Sequence, residues 1–240
     1  MALIFTDPFL QIVLLLLLFL MAVCVKNKKL TLYAAVTAAL IGFLVAATAG
    51  LKGILMLGVF FVLSVLATSH KKKEKQLIHP VSGEKTGRNA LQVLANGGVA
   101  GITAILSLLN PENKEYYLFM MAASLASALA DTLSSELGMV YGKRFYNIIT
   151  FKREANGLDG VISLEGTIIG AIGAGIIALI YAGFGQIAFI IAIAGVLGNF
   201  SDSLLGGLLE RKHLIGNNMV NFLNTSFAAI AGLLLYLLFL

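Results

Sequence analysis

Apolar residues along this chain come in long runs rather than in alternation. Uninterrupted stretches of helix-spanning length predict eight spans, at 8–25, 31–49, 53–68, 89–109, 116–141, 162–184, 186–209 and 218–240. No ten-residue alternating pattern recurs, which excludes an outer-membrane barrel. The fold class that follows is all-α, a polytopic helical membrane protein of about eight transmembrane helices. Three regions emerge: apolar scaffold helices over 1–70, a basic loop over 71–88, and a helical bundle carrying polar residues over 89–240. The first run has no basic segment before it and no small-residue cleavage signal after it, and so reads as a retained anchor.

Composition points the same way. Of 240 residues, 59% are hydrophobic and 12% charged, with a mean hydropathy of +0.93, far too little polar surface for a soluble domain of this size. Cys24 is the only cysteine, which rules out an internal disulfide and a thiolate metal cluster. The glycosylation-like triplets at Asn199 and Asn224 fall inside predicted spans and are chance matches.

The placement of charge says more than its sum of +5. Lys and Arg number three in 26–29, six in 71–88, four in 143–153 and two at Arg211 and Lys212, so fifteen of the 17 fall on alternate loops. The other two are Lys52 and Lys114. By the positive-inside rule the basic loops face the cytoplasm and both termini lie outside. The densest basic segment, 71–88, reads as a solvated loop against anionic headgroups. Its "SGEKTGRN" lacks both the preceding strand and the spacing of a phosphate-binding loop, and nothing points to a nucleic-acid partner.

With that topology, polar residues collect in the cytoplasmic halves of five spans. The fourth carries Asn89, Gln92 and Asn96 on one helical face, and the fifth ends with Asp131, Ser134, Ser135 and Glu136. The sixth begins with Ser163, Glu165 and Thr167. The seventh ends with Asn199, Ser201, Asp202 and Ser203, and the eighth begins with Asn217, Asn221, Asn224 and Thr225. The outer halves of the same spans are apolar. The pattern predicts a pocket open to the cytoplasm and closed on the other side.

A carboxylate at the centre of a membrane helix costs roughly 2.5 to 3.5 kcal/mol on insertion scales, so Asp131 and Asp202 are read as functional. Asp131-Thr132-Leu133 and Asp202-Ser203-Leu204 also align as a short internal match. Oxygen-only side chains suit Mg²⁺ as the cofactor, with Asp131 and Asp202 as its expected ligands. None of His70, His79 and His213 has a partner at ligand spacing. Among the nearby bases, Lys152, Arg153 and Arg211 stand closest to these motifs and are candidates for neutralising phosphate. The loop "NGLDGVISLEGT" leads into the sixth span, where Gly157 and Gly160 permit a turn and backbone N–H groups at a helix start attract phosphate.

Four motifs, "GRNALQVLANGG", "ADTLSSELG", "NGLDGVISLEGT" and "SDSLLGGLLE…NNMVNFLNT", resemble the integral membrane family that includes the plant phytyl-phosphate kinase and the animal transmembrane protein nineteen. The resemblance covers roughly residues 85 to 228 in the same order. It implies an all-helical membrane bundle that moves a phosphoryl group from a nucleoside triphosphate, CTP or ATP, to an isoprenyl monophosphate. By motif it makes Asp131, Glu136, Asp159, Glu165 and Asp202 metal or phosphate-site residues, and Asn96, Asn221 and Asn224 polar ligands. Asn156, Gly157 and Gly160 fall in its nucleotide or phosphate loop, while Asn89, Gln92, Ser135, Asn199 and Asn217 complete the polar pocket. Leu158 and Asn218 depart from the family pattern, which leads one to expect a small residue at the first and often has an acid at the second. The residues read by themselves also admit a carrier for cations or anionic metabolites. Against that reading, a carrier needs an exit on both faces, which apolar outer halves do not provide.

Overall fold

The computed structural model describes residues 7–78 and 87–240, so Lys85, His79 and the "SGEKT" portion of the basic loop lie outside the described residues. Its long helices are α1 (Pro8–Lys26), α2 (Leu32–Ser69), α4 (Ala90–Leu109), α5 (Lys114–Tyr141), α6 (Leu164–Ala182), α7 (Gln186–Leu205) and α8 (Asn217–Phe239), with a short α3 (Lys72–Ile78) between α2 and α4. The seven long helices are each apolar enough to cross a membrane.

α2 is not a straight rod. A continuous helix of 38 residues would be about 57 Å long. Yet Lys29 Nζ, just before its start, lies 3.4 Å from Ser69 Oγ at its end. Gly50 makes the reversal, with φ +58° and ψ −143°, a conformation open in practice only to glycine. The arms 32–49 and 51–69 therefore run antiparallel, and the eight predicted spans correspond to seven helices with one folded in two.

The four basic connections meet at one end of the bundle. Arg88 donates its backbone N–H to Lys29 O and its guanidinium to Thr68 Oγ1, while His70 Nε2 and Tyr141 Oη are 2.7 Å apart. Lys52 and Lys114 stand at the other end, where Lys52 Nζ donates to Tyr181 O at 2.8 Å and Gln186 Nε2 to Phe239 O at 3.0 Å. The segregation of charge read from the sequence is thus a property of the folded chain.

The most enclosed helix is α5. Phe119, Met121, Leu125 and Leu129 are almost wholly buried, and the Ala and Ser residues between them let α4, α6, α7 and α8 approach. Close approach is tightest against α7, where a Cβ on Gly198 would lie 2.1 Å from Ser127 Oγ. α1 and the α2 arms pack on the outside, and leucines such as Leu15 and Leu40 face outward as lipid-facing residues do.

Two features differ from the sequence reading. The basic loop is not uniformly solvated, because Lys75 is buried and donates to Ala67 O at 2.8 Å, to Thr68 O at 3.0 Å and to the Glu136 carboxylate. A charged amine reaches such a position only when its donors are matched, and here two C-terminal carbonyls of α2 and one acid match them. The connection after α5 also forms a small antiparallel ribbon of β1 (Phe145–Asn147) and β2 (Val161–Ser163). Its turn is held by Asn147 Oδ1, which accepts from the N–H groups of Ile149 and Thr150.

Candidate active site

The ribbon lies over the basic end of α5, α6, α7 and α8 and roofs a cavity of about 210 Å³. Two carboxylates from separate helices meet in its wall: Asp131 of α5 and Asp202 of α7 lie within hydrogen-bonding reach of each other. They meet because α5 and α7 run in the same direction, place these acids at the same depth and touch at Gly198.

Asp202 is held by α8. Asn224 Nδ2 donates to Asp202 Oδ2 at 2.5 Å while Asn224 Oδ1 accepts from Ser127 Oγ at 3.2 Å. One turn earlier, the Asn221 amide is assigned the orientation that satisfies its neighbours' hydrogen bonds. It donates to Asn217 O and Asp202 Oδ2 and accepts from Asn96 Nδ2 of α4, each at 3.2 Å. Asn96 in turn donates to Gln92 O at 3.1 Å. Asn96, Asn221 and Asn224, drawn from the two stripes seen in the sequence, therefore form hydrogen bonds that end on the Asp202 carboxylate.

The other wall is the loop before β2. Asn156 donates through Nδ2 to Met139 O at 2.8 Å, and Gly157 and Gly160 adopt φ +85° and +75°. Gly160 packs so closely on Gly207 that a Cβ there would stand 2.5 Å from the Gly207 Cα. Asp159, Ser135, Asn199 and Asn217 also line the cavity. Two helix starts open on it, α6 capped by Ser163 Oγ and α8 with no side-chain cap.

Several residues singled out in the sequence stand elsewhere. Glu136 is about 140° round α5 from Asp131 at 100° per residue, and it pairs with Lys75 instead of lining the cavity. Glu165 accepts the Lys143 backbone N–H at 3.3 Å, at the start of α6. Lys152 and Arg153 are exposed on the ribbon, with Arg153 bridged to Tyr146, whose phenol it holds below its usual range. Arg211 pairs with Glu154 at 2.6 Å, and that contact keeps the Glu154 carboxyl below the usual glutamate range. Asn89 caps α4, where its side chain and that of Gln92 form a reciprocal capping box.

Glu210 lines the cavity and escaped the sequence reading. An unbroken α-helix would put it about 80° round from Asp202. The chain from Gly206 to Glu210 instead forms a π-helical turn, with Arg211 N–H donating to Gly206 O, and the wider turn brings Glu210 back to the cavity beside Asn217. A pair of glycines directly after an acidic helix was the available signal.

The wall thus holds Asp131, Asp159, Asp202 and Glu210, and among the described residues no Lys or Arg side chain lines it. Nor is any group of three or more His, Cys, Asp or Glu placed to hold a metal ion among the described residues. Two adjacent carboxylates with amide and hydroxyl oxygens around them fit Mg²⁺, which keeps several waters or phosphate oxygens and takes one or two carboxylates from the protein.

Among curated proteins, the chain is 34% identical over 217 residues to the uncharacterized membrane protein MJ0933 of Methanocaldococcus jannaschii, covering 88% of this chain and 87% of that one. It is 29% identical over 206 residues to the chloroplastic protein VTE6 of Arabidopsis thaliana, covering 82% of this chain and 62% of that one. It is also 29% identical over 215 residues to the uncharacterized membrane protein sll0875 of Synechocystis, with 87% and 83% covered. No solved structure matches. The model of the integral membrane protein family DUF92 matches residues 15–229, and the chain belongs to that family.

Proposed function

We propose that this protein transfers a phosphoryl group from a nucleoside triphosphate, CTP or ATP, to an isoprenyl monophosphate, giving the diphosphate, with the cavity facing the cytoplasm. The observation that carries the reading is the meeting of Asp131 and Asp202, from two helices long and apolar enough to cross a membrane, in one acidic cavity. Four carboxyl groups without a basic side chain in the same wall would repel a polyphosphate, so the site calls for a divalent cation to offset part of that charge. Asp131 and Asp202 are the residues that would hold Mg²⁺, which would supply charge neutralisation for the transferring phosphoryl group.

The chain's own residues supply the rest. Asn224 and Asn221 fix the Asp202 carboxylate, so it does not have to be ordered at the moment of reaction. The starts of α6 and α8 lie at the cavity wall, where the positive end of a helix favours an anion, and Gly157 and Gly160 line the same wall. The ribbon covers the site and limits water, which competes with the acceptor. Lys152, Arg153 and Arg211 lie outside the cavity wall on the connections after α5 and α7, from where their charge would still attract an anionic nucleotide.

Acceptor chemistry asks little of the protein. A phosphate monoester has its second pKa near 6, so its oxygen is already anionic at neutral pH and attacks the γ-phosphorus as the bond to the β-phosphate oxygen breaks. No general base is required. The family resemblance and the relation to the plant and archaeal proteins support the reading. Its test is direct: protein in lipid nanodiscs with Mg²⁺, γ-labelled CTP or ATP and a prenyl monophosphate forms labelled prenyl diphosphate. Transport of a solute into proteoliposomes with no such product would favour a carrier.

A further inference from the structure

A second cavity, of about 180 Å³, lies on the opposite side of α4 from the acidic one. Its wall is almost wholly hydrocarbon, built from α1 (Leu17, Met21), the two α2 arms (Ile41, Phe61) and α4 (Val93). Polar side chains enter it only at the basic end, where Arg88, Gln92 and Asn96 follow one another at four-residue intervals. The stretch from Leu16 to Cys24 along α1 gives it a depth of about 12 Å.

Two facts distinguish this slot from a packing defect. Arg88 is fixed in place, since its backbone donates to Lys29 O at 2.9 Å and accepts from Thr31 N–H at 3.0 Å. Yet among the described residues its guanidinium forms no ion pair, and its hydrogen bond to Thr68 Oγ1 is long, at 3.4 Å. Burial holds its pKa below the usual arginine value, with Glu136 opposing that effect. The second fact is connection: Asn96, in the wall of the slot, hydrogen-bonds Asn221, which hydrogen-bonds Asp202 in the wall of the acidic cavity.

We infer that this slot holds the hydrocarbon tail of a prenyl monophosphate drawn from the bilayer, with Arg88 at its mouth binding the phosphate and Asn96 marking the way from that phosphate to Asp202. The inference rests on the phosphotransferase reading for its substrate class. An apolar slot with one guanidinium at its membrane-surface end complements a lipid with a single anionic head, and a planar guanidinium suits phosphate. Water-soluble phosphates would leave the hydrocarbon wall uncovered.

Gly58 provides the test. It lines the slot from the second arm of α2, and a Cβ there meets nothing within 4 Å, so Gly58→Leu can add a side chain at the slot wall without a clash at its Cβ. The probe is a twenty-carbon prenyl monophosphate with a diazirine at the tail end, used in nanodiscs without nucleotide, alongside the product assay. The expected result is crosslinking to Phe61 and its neighbours in wild type. Gly58→Leu should weaken binding of the twenty-carbon lipid by about tenfold or more, equivalent to two buried methylenes, and spare a ten-carbon homologue. Arg88→Gln should weaken both.

If wild type forms product but the label lands outside the slot, or Gly58→Leu binds the long lipid normally, the slot assignment falls while the phosphotransferase reading stands. A slot that labels as described in a protein forming no diphosphate upholds the assignment and overturns the activity. Equal labelling by a diazirine phospholipid of the host bilayer, undisplaced by prenyl monophosphate, overturns the slot assignment.

Discussion

Asn224 and Asp202 sit on different helices and share a hydrogen bond of 2.5 Å, and the same asparagine reaches back to Ser127 on α5. α8 therefore ties together the two helices that carry the aspartates. On the proposed activity, Asn224 is a positioning residue for the Asp202 carboxylate. Asn224→Ala should lower turnover by about 10- to 100-fold and raise the Mg²⁺ concentration needed for half activity, as removing an outer partner of a metal-binding carboxylate does. Activity titrated against Mg²⁺ checks it, and unchanged Mg²⁺ dependence would assign Asn224 to packing.

Lys75 and Glu136 form a pair with little solvent access to the lysine. Removing one partner of a buried pair strands the other charge, at a cost of about 3 to 5 kcal/mol. Lys75→Met should accordingly lower the melting temperature of the detergent-solubilised protein, and Lys75→Met with Glu136→Leu should recover much of the loss. If the double variant keeps its turnover, Glu136 is structural. A catalytic role for Glu136 predicts a well-folded double variant without activity.

The Glu154–Arg211 pair joins the ribbon to the turn after α7. Arg211, and then Asn147, hold the folded pKa of Glu154 below its usual value. The sign follows: the pair contributes above the unfolded glutamate pKa, and its contribution is lost as pH falls through the depressed folded value. Hydrogen exchange of residues 145–163 should quicken on acidification through that window, and Glu154→Gln should remove this part of the pH dependence.

Gly50 holds a backbone conformation that side chains resist. Gly50→Ala should destabilise the fold by about 1 to 3 kcal/mol, read as a lower melting temperature, while Gly58→Ala on the same helix should be neutral or slightly stabilising.

Spans, charge segregation and the gathering of polar residues at one end were legible in the sequence because membrane helices declare themselves by length and because helical spacing aligned Asn89, Gln92 and Asn96, and Asn217, Asn221 and Asn224. The pairing of Asp131 with Asp202 was inferable from the local match around them. Glu136 shows the limit of motif reading: adjacency in sequence put it beside Asp131, but helix geometry turned it toward α3, where Lys75 waits. The position of Glu210 depended on a π-helical turn, which hydropathy does not encode. The fold of α2 hung on one glycine among 25. The slot beside α4 could not be seen, since its other walls come from helices whose sequences read only as scaffold.

The central claim is that Asp131 and Asp202 act together on a phosphoryl group, and the most direct measurement is product formation by Asp131→Asn and Asp202→Asn in nanodiscs with γ-labelled nucleotide, Mg²⁺ and prenyl monophosphate. Both variants should fold, retain crosslinking in the lipid slot and form labelled diphosphate at less than about a thousandth of the wild-type rate, the scale of losing one charge-stabilising group at a reacting centre. Near-normal product from either variant would contradict the account.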